Sequence, residues 1–198
     1  MTTTLAPYYD TRQDFFRSQF EKASSYKDFI GNASSNHRER WNNFENLVKV
    51  PENCAALLRS MKRKINVLVL AGAWCGDCAR QGPMLKAISE LAPDIDLRFS
   101  DNKSNSELQN ELRINGAEKV PVVVVLSEDF FEIARFGDRH LSVYRRKAKQ
   151  ELGAACDPGL LPPTSDELQT EVEEWVNYFE RAYYLLRLAP MLRKRYQD

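Results

Sequence analysis

Ala71-Gly72-Ala73-Trp74-Cys75-Gly76-Asp77-Cys78 decides how this chain is read. An apolar run from Ile65 to Leu70 precedes it, rich in β-branched and aliphatic residues. Behind it Met84, Leu85, Ile88 and Leu91 recur at helical spacing. Two cysteines separated by two residues therefore stand where a predicted strand hands over to a predicted helix. The first would lie at the helix N-terminus, where unpaired backbone N–H groups and the helix dipole stabilise a thiolate. The second lies one turn on, close enough to close a disulfide or to attack a mixed one. In this strand-to-helix setting the pair reads as a redox dithiol.

Two other uses of the pair are weaker. A zinc site commonly needs four ligands arranged as two separated pairs. The other cysteines here, Cys54 and Cys156, are single, and the histidines are His37 and His140. No metal and no cofactor is therefore expected. A purely structural disulfide would close a very short loop and restrict the unfolded chain little.

The motif Trp74-Cys75-Gly76-Asp77-Cys78 resembles the active site of the thioredoxin family, with Asp77 where that family usually has proline. Three further matches follow. Pro83 falls inside the predicted helix, where an internal proline costs about 3 kcal/mol. Val120-Pro121-Val122 leads an apolar strand, and Phe131 to Gly137 resembles the last strand with its terminal glycine. The resemblance covers roughly 51–138 plus the C-terminal helix. It implies an α/β fold: a central mixed four-stranded sheet flanked by helices. It also implies that Pro121 is cis and faces the cysteines, that Cys75 is the more exposed sulfur and the attacking nucleophile, and that Cys78 is the shielded, resolving one. Trp74, Gly76, Val120, Pro121 and Gly137 would form the substrate-docking surface, with the Val120 backbone pairing to a substrate chain.

Composition agrees with a single globular domain carrying additions. The chain has 198 residues, with 28 basic and 28 acidic side chains that balance to zero. Nothing in that balance points to nucleic acid. The N-terminus lacks the basic region and apolar core of a secretory signal. No run reaches membrane-spanning length. With few cysteines and no signal, a reducing cytoplasm is the expectation; a monomer is expected as well.

Along the chain, 1–9 reads as a loose arm and 10–30 as one helix carrying Phe16 and Phe20. A second helix starts at Ser34 or Ser35 and runs to Lys49 with Trp41, Phe44 and Val48 on one face. Pro51 opens a third, with Cys54, Leu57, Leu58 and Met61 on its apolar stripe. The division is thus an N-terminal helical extension, 1–50, packed on a thioredoxin-like domain, 51–198. Strands are expected at about 65–71, 95–100, 121–126 and 131–136, with helices at about 76–91 and 104–113, the latter capped by Ser104. An insertion follows at about 138–163. Its first part, Leu141 to Leu152, is helical and basic; its second part is a loop with Cys156. Thr164 and Glu167 form a capping box for a last helix, about 165–189, which Pro190 ends.

The resemblance implies thiol–disulfide exchange with protein disulfides, the electrons coming from a thioredoxin reductase or another dithiol. Two departures bear on it. The family's buried aspartate, six residues before the first cysteine, is replaced by Val69. Asp77 places a like charge beside a forming thiolate; at about 6 Å this repulsion is of order 1 kcal/mol and would raise the Cys75 pKa. Alternatively Asp77 takes the proton from Cys78, or is simply a solvated helix-start carboxylate. The functional expectation is a disulfide reductase. The alternatives are a redox-sensing interaction module and a dedicated-partner oxidant or isomerase.

Overall fold

The structure, a computed structural model, describes residues 8–151 and 164–197. Its centre is β1 (Ile65–Ala71), buried along its whole length. Apart from Asn66, which donates to the Ser127 carbonyl at 2.9 Å, the strand is apolar, and such a run sits mid-sheet with both faces covered. β1 pairs in parallel with β2 (Ile95–Asp101) and antiparallel with β3 (Val122–Leu126), and β3 pairs antiparallel with β4 (Glu132–Gly137). The order is β2-β1-β3-β4. This is the mixed four-stranded α/β sheet that the resemblance implies. The register sets Leu70 opposite Val122, and Val122 opposite Gly137. The end of β1, the start of β3 and the end of β4 thus meet at one end of the sheet.

Among the described residues four helices precede β1: α1 (Gln13–Lys22), α2 (Tyr26–Gly31), α3 (Ser35–Leu47) and α4 (Glu52–Ser60). α5 (Gly76–Leu91) follows β1 and α6 (Ser106–Glu111) follows β2. After β4 come α7 (Leu141–Glu151), α8 (Ser165–Arg187) and α9 (Pro190–Tyr196). α4, α5 and α8 pack on one another, α3 lies on α5, and α2 lies against β2. Phe16, Phe29, Ile30 and Trp41 of the first three helices share one apolar cluster with the sheet.

Three local expectations need correction. The segment 10–30 is two helices. Between them Ser24 exchanges both backbone hydrogen bonds with Phe99, at 2.9 and 2.8 Å. Ser25 then caps α2 by accepting from the Asp28 N–H. The periodicity was continuous, but an edge of β2 needs partners and takes this backbone. α6 is capped by Asn105, not Ser104: Asn105 accepts from Leu108 N–H, while Ser104 lies in a turn around Asp101. Finally, α8 stops at Arg187 and Pro190 opens α9 as a first-turn residue. The Thr164–Glu167 capping box is present in both directions. Cys156 and the second part of the insertion lie outside the described residues.

Candidate active site

The sheet end defined by that register carries the cysteines. Cys75 is the N-cap of α5: its carbonyl accepts from Ala79 at 3.0 Å, and its N–H donates to Gly72 at 2.9 Å. Its side chain makes no capping bond to the helix and donates instead to the Val120 carbonyl at 3.6 Å. Cys78, one turn on, lies behind it and receives the Gly72 N–H at 3.4 Å. The two cysteines are 3.5 Å apart and both are free thiols. Cys75 is 9% exposed and Cys78 1%.

Their acidities diverge for identifiable reasons. A hydrogen bond from the Cys78 thiol stabilises the Cys75 thiolate most. Burial opposes it, and the N–H groups of Cys78 and Asp77 add to it. Cys75 falls to about 7. Burial pushes Cys78 well above its ordinary value, and the neighbouring Cys75 pushes it further. Asp77 does act against the Cys75 thiolate, as its charge requires, but it is outweighed. The upward push expected of Asp77 is present, and the net direction at Cys75 is down.

Asp77 is not a free carboxylate. The Arg139 guanidinium meets it at 2.6 Å. Arg139 also pairs with Asp138 at 3.2 Å. Asp138 in turn takes Lys119 at 3.3 Å and the Tyr144 hydroxyl. Burial works against the Asp138 charge, but Tyr144 and Lys119 outweigh it and hold the carboxyl below its usual value. Gln81 of α5 donates to the Asp138 carbonyl at 2.9 Å and ties this segment to the cysteine helix. Sequence reasoning missed Arg139. The signal available was the carboxylate itself: an acid next to a thiolate asks for a cation.

Of the residues expected to flank the cysteines, Val120 meets Cys75 directly through its carbonyl. The Val120–Pro121 peptide is cis. Pro121 is buried and Gly137 exposed. A Cβ on Gly137 would lie 2.6 Å from the Pro121 carbonyl oxygen. Gly76 is exposed with open space around it. Trp74 is 43% exposed, with Lys103 over its ring and Asn102 accepting from its indole N–H at 3.4 Å. The loop is gripped from α3 as well. Trp41 donates to the Ala73 carbonyl at 3.0 Å and Arg40 to the Trp74 carbonyl at 3.3 Å. The sequence marks Trp41 as a core residue only.

Val69 is 1% exposed, so the family's buried acid has no counterpart at that place. Cys54 is buried on α4 and serves packing. Among the described residues no three His, Cys, Asp or Glu side chains converge as a metal group. None of the described helices is long and apolar enough to cross a membrane.

No curated relative matches the chain. Among solved structures, a protein of unknown function from Pseudomonas aeruginosa is similar with a TM-score of 0.66 at 22% identity, over 84% of this chain and 97% of that one. An HIV epitope scaffold follows with a TM-score of 0.65 at 19% identity, over 83% and 96%. At such identities both show the fold alone. A thioredoxin family model matches residues 23–147, well over half of the sequence, beginning inside the helical extension and spanning both cysteines, Pro121 and Gly137. The chain belongs to the thioredoxin family.

Proposed function

We propose that this protein reduces protein disulfides through Cys75 and Cys78. One observation carries the reading: two free thiols in contact, one at a helix N-terminus with its pKa near 7, the other buried with its pKa raised. That asymmetry separates an attacking sulfur from one held back as a thiol. The downward direction at Cys75 suits attack at neutral pH, since the thiolate is the nucleophile.

The Cys75 thiolate attacks a substrate disulfide RS–SR′. A Cys75–SR bond forms, the S–S bond breaks, and R′S⁻ leaves. Cys78 then loses its proton and attacks the Cys75 sulfur. RS⁻ departs and the Cys75–Cys78 disulfide remains, two electrons having passed to the substrate. A dithiol donor, of the kind a thioredoxin reductase supplies, restores the pair. The Val120 backbone and Pro121 line the substrate chain, Trp74 and Gly76 border it, and Gly137 leaves room for it. With Val69 in place of an acid, deprotonation of Cys78 falls to water or to the departing thiolate, which makes the second step the slow one. The division into a helical extension, 1–50, and a thioredoxin-like domain, 51–198, a monomeric state and a reducing compartment such as the cytoplasm complete this reading.

The reduction potential tests it, measured by equilibration in dithiothreitol buffers with Cys75→Ser as control. A value near about −270 mV or lower supports a reductase, and one near −120 to −180 mV marks an oxidant or isomerase. Failure to form the disulfide sinks the redox reading. If the pair cycles but insulin is reduced poorly, a dedicated partner or a sensor replaces the general reductase.

A further inference from the structure

We propose that Arg139 is a positioning residue of the exchange reaction: by pairing with the Asp77 carboxylate it cancels the negative charge that the motif places beside the attacking sulfur. This inference rests on the exchange reading above and deepens it.

The chemistry begins with an apparent conflict in the motif. Asp77 is good for the helix, since a carboxylate in the first turn meets the positive end of the dipole. It is bad for the thiolate at the same helix end, because the two charges repel. A counter-charge that binds Asp77 keeps the first effect and removes most of the second. Arg139 lies at 2.6 Å from Asp77, and its other end meets Asp138 at 3.2 Å. It comes from another part of the chain, just past the terminal glycine of β4, where this chain departs from the thioredoxin pattern.

The surroundings hold Arg139 to this task. Asp138 is 4% exposed and is fixed by Lys119 and by Tyr144 of α7. Its carbonyl is held by Gln81 of α5. The charged groups linked to Asp77 by these contacts are Arg139, Asp138 and Lys119, with the Tyr144 hydroxyl on Asp138. Lys119 meets Asp138, while Arg139 reaches Asp77. The pair is about a quarter exposed on each side, so water screens part of its effect. The expected influence on Cys75 is therefore below the full charge–charge repulsion.

The test is a double-mutant cycle in the full chain: Arg139→Gln, Asp77→Asn and the double variant, with Arg139→Lys as the conservative control. The readout is the Cys75 pKa, followed by thiolate absorbance. Arg139→Gln is expected to raise it by about half a unit to one unit, and Arg139→Lys by less. At pH 9, where both forms are ionised, the same change lowers the reduction potential. The exchange constant shifts about threefold to tenfold, which is about 15 to 30 mV for a two-electron couple. In the Asp77→Asn background the Arg139→Gln shift should vanish. An unchanged pKa in Arg139→Gln overturns the proposal. So does an equal shift with and without the Asp77 carboxylate, since Arg139 would then act on the sulfur directly. Should Arg139→Gln fail to fold, Asp77→Asn and Arg139→Lys decide. A lower Cys75 pKa in the first with a near-native value in the second supports the pairing, and any other pattern overturns it. Failure of the exchange reading would look different: the wild-type pair would form no disulfide, whatever the titration gives.

Discussion

Gly137 illustrates how one missing side chain shapes the site. A Cβ there would come within 2.6 Å of the Pro121 carbonyl oxygen and 3.2 Å of the Val122 Cα. Both are backbone atoms, so no rotamer change can yield. Gly137→Ala is expected to push β4 from β3 at this end and to cost about 1–3 kcal/mol, the range for overpacking a fixed site. The loss should fall harder on exchange than on folding, since the displaced strand end is the edge beside Cys75. Urea unfolding and the rate of insulin reduction, compared side by side, check this; a variant with wild-type rate and stability would show that the strand end has slack. At this scale much of the site was legible. Cys75, Cys78 and Asp77 are adjacent in sequence, and Pro121 and Gly137 stand at the ends of recognisable strands. Arg139 was not legible, because its partner lies far away in sequence and an arginine after a strand looks like any surface cation. The upward push of Asp77 on Cys75 was legible, but the net direction was not, because it is set by the Cys78 thiol and the helix N–H groups, whose geometry only the fold supplies.

Among the elements, α3 departs most from what an apolar stripe alone suggests. Trp41 is fully buried, donates to the Ala73 carbonyl, and sets its six-membered ring against Gly82 of α5. A Cβ on Gly82 would sit 2.0 Å from the Trp41 ring. The helix would otherwise gain about 1 kcal/mol from alanine at that position. Two effects of opposite sign therefore compete, and the cycle separates them. Gly82→Ala alone should destabilise, since overpacking of about 1–3 kcal/mol exceeds the propensity gain. Trp41→Ala alone should cost about 3–5 kcal/mol. In the Trp41→Ala background, Gly82→Ala should turn stabilising by about 1 kcal/mol. Denaturant midpoints of the four proteins measure it, and the same sign in both backgrounds would rule out the contact. The helices and strands themselves follow from periodicity, so most were found at nearly the right bounds. The break at Ser24 was not, because a backbone exchange with Phe99 leaves no trace in side-chain pattern. Pro190 was read as a stop, although the same fixed φ that ends one helix suits the first turn of the next.

Across the whole molecule, the helices after β4 bind the site to the rest of the fold through a buried histidine. His140 follows Arg139 directly, is 2% exposed, and packs edge-on to Trp175 of α8. Glu174 lies 3.5 Å from its Nδ1, but that carboxylate already takes the Ser142 N–H and hydroxyl. Burial and the nearby Arg80 prevail, and they lower the His140 pKa to about 4. Arg80 is itself clasped by Glu171, whose carboxylate is 1% exposed, so the cation is fixed in place. The sign follows. Between pH 6.5 and 4 the unfolded chain binds a proton at His140 that the folded chain refuses. The contribution to stability is complete above about pH 6.5 and is lost as pH falls through the folded value near 4. The shift is worth about 3 kcal/mol. Other groups titrate in the same window, so the comparison must be with His140→Gln. The stability difference between wild type and variant should move by about that amount, against the wild type, from pH 7 to pH 4. Parallel curves would show that His140 is protonated in the fold, with Glu174 as its true partner. Because His140 and Arg139 share the turn into α7, acid should also loosen the Arg139–Asp77 pair before the sheet unfolds. Hydrogen exchange at the start of α7 should then rise below pH 6 while β1 and β3 stay protected.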